Sequence, residues 1–210
     1  MSNVTYINDE KSMSSSNRVT IIDLVKEKLR SMKVVFFDYD DTLCIHKNFS
    51  GTGWSSGWWD AVLDDNYKYY MDTERCAPNP VLQDMCKIFK RNRTLCHILT
   101  WADCNGMQEA RWRFIHQYYP DIFKKLFIMS SREGKLVFLE RYAAHYGIKK
   151  EDILIIEDHP VTLEECLKAG FSAMSASEAC YLVDMFKNHE TMMQELNDDY
   201  DVNNKEEASN

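Results

Sequence analysis

Five short apolar runs, each followed by residues at helical spacing, constrain this chain more than any other feature. The runs are KVVFF (33–37), TLCHIL (94–99), KLFIMS (125–130), DILIIE (152–157) and FSAMS (171–175). A strand with one wet face alternates apolar and polar residues, whereas a strand covered on both faces is apolar throughout. The intervening stretches carry helix signals. Asn79 stands as N-cap before Pro80 at the first helical position. A second helix falls around 105–118 and stops before Pro120, and a third runs from about 134 to Gly147. A short one ends at Gly170, and the last covers about 177–196. Ahead of the first run, Thr20 and Asp23 form a capping box, and Ile21, Val25, Leu29 and Met32 share one face. Buried strands alternating with amphipathic helices predict an α/β fold, a Rossmann-like three-layer sandwich around a central parallel sheet.

Open α/β sheets bind ligands beyond the carboxyl ends of their strands. Asp38, Asp40, Asp41 and Thr42 follow the first run, and Thr100 follows the second. Ser130 and Ser131 follow the third, with Lys135 opening the next helix, and Glu157 and Asp158 follow the fourth. Singly, each has an ordinary explanation as a turn or cap residue. Together they put carboxylates, a hydroxyl and an ammonium on one rim, which is the composition of a site for a metal ion and a phosphate. Close carboxylates repel unless a cation or a proton intervenes, so the acidic turn is either a hydrated turn or a place built to hold a metal ion.

In these motifs the chain resembles the haloacid dehalogenase-like (HAD) phosphohydrolases. The carriers are Asp38-Tyr39-Asp40-Asp41-Thr42 after an apolar strand, LCHILT ending in Thr100, Lys135 near a helix start, and ILIIED ending in Asp158. The resemblance covers about residues 33–175. A response-regulator receiver has similar groups in another order, with its lysine last, and the order here excludes it. The resemblance implies that Asp38 attacks phosphorus, that Asp40 acts as acid and base, and that Thr100 and Lys135 hold the phosphoryl oxygens. It further implies Mg²⁺ on the carboxylates of Asp38 and Asp158 and the backbone carbonyl of Asp40. Glu157, where many relatives have glycine, and Thr42 are candidates for a supporting role. Thr162 stands where many relatives have an acid, with Glu164 as a substitute, and Asp41 faces away from the chemistry. The implied reaction is hydrolysis of a phosphate monoester. A phosphotransferase or phosphomutase would keep the same residues, and a non-catalytic module of the same fold is the alternative outside catalysis.

The segment 45–77 is a small insertion after the first strand, too short for a full helical cap. It holds three of the seven glycines and three of the five tryptophans, which marks it as an aromatic flap. Trp54, Trp58, Trp59, Tyr67, Tyr69 and Tyr70 either stack on a planar part of the substrate or staple the flap to the core, and packing is the simpler reading. Residues 1–18 and 197–210 read as disordered, leaving one domain over 19–196.

Of the net charge of −8, the last sixteen residues supply −5, so the body carries neither a basic footprint for duplex nucleic acid nor a strongly acidic surface. A polar N-terminus and the lack of a long apolar run predict a cytoplasmic protein without a membrane span. Oligomeric state is not legible. The seven cysteines form an odd set without a CxxC pair, and read as small buried hydrophobes rather than a zinc site or disulfide framework.

Overall fold

The computed structural model of the chain describes residues 20–47, 62, 66–102 and 107–207. The elements are α1 (Ile21–Ser31), β1 (Val34–Phe37), β2 (Cys44–His46), α2 (Asn66–Tyr69), β3 (Cys76–Pro78), α3 (Pro80–Arg91) and β4 (Leu95–Trp101). They continue with α4 (Met107–Tyr118), β5 (Phe123–Met129), α5 (Gly134–Tyr146), β6 (Ile153–Glu157), α6 (Pro160–Lys168), β7 (Ser172–Ser175) and α7 (Ala176–Glu207). Five strands form one sheet in the order β5-β4-β1-β6-β7, and every pairing in it is parallel. This is the α/β three-layer architecture expected from the apolar runs.

Alternation along β1 divides the core. Val35 and Phe37 face Leu82, Met85 and Phe89 of α3 and Val183 and Phe186 of α7, while Val34 and Phe36 face Leu139 and Tyr142 of α5 and Cys166 of α6. Each such apolar side chain contributes about 1.5–3 kcal/mol when fully buried, so both layers are firmly seated. The helix starts follow from local chemistry. The Asn79 side chain accepts from the N–H groups of Val81 and Leu82, and Thr20 and Asp23 cap α1 reciprocally.

From β1 the chain moves outward to β4 and β5, then returns to β6 on the other side of β1. The carboxyl ends of β1 and β6 therefore flank the point where the winding reverses, which is where such sheets open a crevice. A tight turn follows β1: the N–H groups of Leu43 and Cys44 both donate to the Tyr39 carbonyl at 2.9 Å. Asp41 has φ of 54° there, a left-handed conformation that aspartate tolerates better than most residues.

Three boundaries differ from the sequence reading. β4 extends to Trp101, so Thr100 lies within the strand and not beyond it. Glu157 likewise closes β6. The helix α7 runs on to Glu207, through the stretch expected to be disordered, because no glycine or proline interrupts residues 176–207 and their acids are tolerable helix formers. Within the insertion, β2 and β3 pair antiparallel as a small separate ribbon. Tyr69 and Tyr70 are fully buried, with rings edge to face at 5.4 Å. Trp54, Trp58, Trp59 and the side chain of Tyr67 lie outside the described residues, as do residues 1–18. Among the described residues no helix is long and apolar enough to cross a membrane.

Candidate active site

Two polar clusters sit on either side of the turn after β1. The first gathers Asp38, Glu157, Asp158 and Lys135. The Asp38 N–H donates to the Ile156 carbonyl at 2.8 Å, continuing the β1–β6 ladder and holding Asp38 beside the end of β6. Lys135, at the start of α5, donates to Asp38 Oδ1 and to Glu157 Oε2, each at 2.7 Å. All three side chains are buried, Lys135 being only 5% exposed. Carboxylate oxygens of Asp38, Glu157 and Asp158 lie within 4.8 Å of one another.

Three acids share one ammonium in this cluster, and the electrostatics record the shortfall. Burial raises the pKa of Asp158, and the neighbouring charges of Asp38 and Glu157 raise it further. Burial and the Asp38 charge raise that of Glu157 as well, against the pull of Lys135. Burial alone would lower the pKa of Lys135, yet the two carboxylates it touches raise it. Oxygens on opposite sides of an octahedral magnesium ion stand about 4.2 Å apart, and carboxylates gathered within 4.8 Å of one another are near enough to share one. An all-oxygen donor set with excess negative charge fits a hard divalent cation.

The second cluster surrounds Asp40. Arg111 of α4 forms an ion pair with Asp40 Oδ2. His46 Nε2 lies 3.1 Å from Oδ1, and the Tyr70 hydroxyl donates to that same oxygen at 2.9 Å. Arg111 is fully buried, with its guanidinium carbon 4.9 Å from the centre of the Tyr39 ring. Burial acts to raise the pKa of Asp40, but Arg111, His46 and Tyr70 outweigh it and leave the value lowered. Burial likewise opposes a charge on His46, whose contacts with Asp40 and Cys76 nevertheless lift it to about 9.

The sequence-selected residues thus divide. Asp38, Lys135, Glu157 and Asp158 come together. Thr100 instead joins the Asp40 side: its hydroxyl accepts from Arg111 Nη1 at 3.1 Å. Thr42 is buried beneath the turn; its carbonyl accepts from Asn79 Nδ2 at 3.2 Å, and its hydroxyl has no hydrogen-bond partner among the described residues. Glu164 is exposed and paired with Lys168 at 2.6 Å, away from the acidic cluster. Thr162 is buried on α6. His159 donates its backbone N–H to Glu157 Oε1 at 3.3 Å and meets Arg132 through its ring at 3.0 Å.

Sequence reading missed Arg111, His46 and the hydrogen bond of Tyr70 to Asp40, although it expected Tyr70 to pack against the core. A signal for Arg111 was present. Met107, Ala110, Arg111 and Phe114 fall at i, i+3, i+4 and i+7, so this arginine occupies a core-facing position, unlike the exposed Arg113, which pairs with Glu109. Charge on an apolar stripe calls for a buried partner.

No family model matches the chain, and no curated protein matches it. Solved structures do resemble it. A HAD-superfamily hydrolase from Ehrlichia chaffeensis is 12% identical, covering 72% of this chain and 98% of its own, with a TM-score of 0.44. A wild-type HAD-family enzyme from Bacteroides thetaiotaomicron, solved with magnesium and inorganic phosphate, is 10% identical over 69% of this chain and 93% of its own, at a TM-score of 0.42. An uncharacterized protein from Listeria monocytogenes is 15% identical over 69% of this chain and 78% of its own, at 0.48. At these scores the likeness carries no functional weight, and the chemistry rests on the chain's own residues.

Proposed function

We propose that this chain is a magnesium-dependent phosphatase of the HAD-like kind, hydrolysing a phosphate monoester through a phosphorylated aspartate. The observation that carries this reading is the meeting of Asp38, Lys135, Glu157 and Asp158 where the winding of the sheet reverses.

Asp38 is the nucleophile. A carboxylate needs no base to attack at neutral pH, and Lys135 holds this one in place. Its oxygen forms a bond to phosphorus as the bond to the leaving oxygen breaks; water then attacks the phosphorus and releases inorganic phosphate with Asp38 regenerated. The side chains of Asp38 and Asp158 and the carbonyl of Asp40 would hold Mg²⁺, with Glu157 bracing Lys135 beside them. When bound, the ion neutralises phosphoryl charge that three clustered acids would otherwise repel. Lys135 has further N–H donors for the phosphoryl oxygens, and the Thr100 hydroxyl is their second contact.

Asp40 is held ionised and so is available to accept a proton from the attacking water, although Arg111 makes it a weak base. Giving a proton to the leaving oxygen is harder for it, since Arg111 disfavours the acid form. That clamp favours one second reading, a module of this fold that turns over slowly. p-Nitrophenyl phosphate separates the two, because its leaving group needs little protonation. Phosphate release that requires Mg²⁺ and falls by on the order of 10³-fold or more in Asp38→Asn supports the phosphatase. Undiminished turnover in that variant rejects Asp38 as nucleophile, and no turnover of any ester by the wild type favours the module.

A further inference from the structure

A third cluster lies behind Asp40, on the buried face of the β2–β3 ribbon. Cys44 and His46 alternate on β2 and so point the same way, and Cys76 sits directly across from His46 in the antiparallel register. Cys44, His46 and Cys76 are all buried, at 0%, 8% and 2% exposure. One ligand atom from each lies within 4.8 Å of the other two, and Cys76 Sγ is 3.8 Å from His46 Nδ1. Bonds of about 2.3 Å to sulfur and about 2.0 Å to nitrogen in a tetrahedron separate such a pair by about 3.5 Å, so Cys76 and His46 need a shift of only a few tenths of an ångström.

One further feature favours a metal over simple packing. His46 turns its other nitrogen, Nε2, to the Asp40 carboxylate, the outer contact that orients metal-ligating imidazoles and fixes their tautomer. The Tyr69 hydroxyl lies 3.0 Å from Nδ1, a hydrogen bond that a metal on that nitrogen would displace. Cys44 and Cys76 belong to the same apolar core as Cys86 and Cys96, and differ from them in having the His46 ring beside their sulfurs. Two sulfurs and an imidazole are a donor set for zinc and not for magnesium.

We propose that Cys44, Cys76 and His46 bind a zinc ion that clasps the β2–β3 ribbon and fixes His46 as a hydrogen-bond donor to Asp40. This site is separate from the acidic cluster and does not depend on the phosphatase reading. It also revises the view of these two cysteines as mere small hydrophobes.

Titration of the reduced, metal-free full chain with Co²⁺ tests it. The expected result is a thiolate-to-cobalt charge-transfer absorption that saturates at one equivalent and that Zn²⁺ abolishes. Cys44→Ser and Cys76→Ser each weaken binding beyond the roughly 10- to 100-fold typical of losing an outer contact. Cys180→Ser leaves the absorption intact, and so does Asp158→Asn, which separates this site from the acidic cluster. Absence of the band in the wild type, or its persistence in both ligand variants, overturns the proposal. Where the variants fail to fold, alkylation of the wild type decides: Zn²⁺ shields Cys44 and Cys76 but not Cys180 if the proposal holds, and equal rates with and without zinc refute it. A Cys44–Cys76 disulfide that survives treatment with a thiol reductant also refutes it.

Discussion

Asp38 and Asp40 stand two residues apart on one turn, yet their surroundings are opposite. Asp38 shares a single ammonium with Glu157, and Asp158 adds a third acid beside them, leaving the cluster short of positive charge. Asp40 alone receives Arg111, His46 and Tyr70, leaving its cluster over-supplied. The turn geometry sends one carboxylate toward β6 and the other toward α4 and the ribbon. Chemically alike residues thereby acquire different tasks: one cluster calls for a cation, and the other already contains its own. Environment, not residue type, separates the two carboxylates.

The comparison can be broken first at Arg111. Replacing it by Met leaves Asp40 as a buried charge deprived of its main partner, with an expected loss of about 3–5 kcal/mol of stability, read by denaturant unfolding. Any activity limb that reports Asp40 should also move to higher pH, because the charge that lowers its pKa is gone. Unchanged stability and an unmoved limb would mean that the clamp is ornamental. Next in size, Thr100→Val removes a hydroxyl assigned to the phosphoryl group, and kcat should fall by about 10²-fold. A change in stability without a change in kcat would assign Thr100 to the Arg111 network alone.

A third test lies away from both clusters. His97 packs between Phe36 and Phe127 with Nε2 3.1 Å from the Tyr142 hydroxyl, and burial, aided by the Lys125 charge, lowers its pKa to about 4. The unfolded residue takes its proton near pH 6.5, so the unfolded chain binds more protons between about pH 6.5 and 4. Stability should therefore fall as pH drops through that window, by up to about 3 kcal/mol, and His97→Phe should flatten the slope. An equal slope in the variant would trace acid sensitivity to the carboxylates instead. The smallest effect is expected at Asn79→Ala, about 1 kcal/mol from the lost cap of α3, with activity unaltered.

What could be read from the sequence was whatever local chemistry decides. The run VVFF is apolar at every position because both faces of β1 are covered, and Asn79-Pro80 starts α3 by its own hydrogen bonds. The acids and Lys135 were legible because strand ends converge by the rule of the fold. Illegible were contacts set by how distant segments dock. Asp40 meets Arg111 across 71 positions, and His46 meets Cys76 across 30. The second contact exists only through the register of a ribbon whose strands are three residues each, too short to announce themselves. The helical continuation to Glu207 was missed because acidity was read as disorder, although nothing in the stretch stops a helix.

Magnesium binding by calorimetry, comparing the wild type with Asp158→Asn, tests the central claim most directly. One ion bound by the wild type, with affinity falling by at least about tenfold in the variant, is the predicted outcome. Equal affinity in the two proteins, or no binding by the wild type, would contradict the assignment of Asp38 and Asp158 as ligands of one cation.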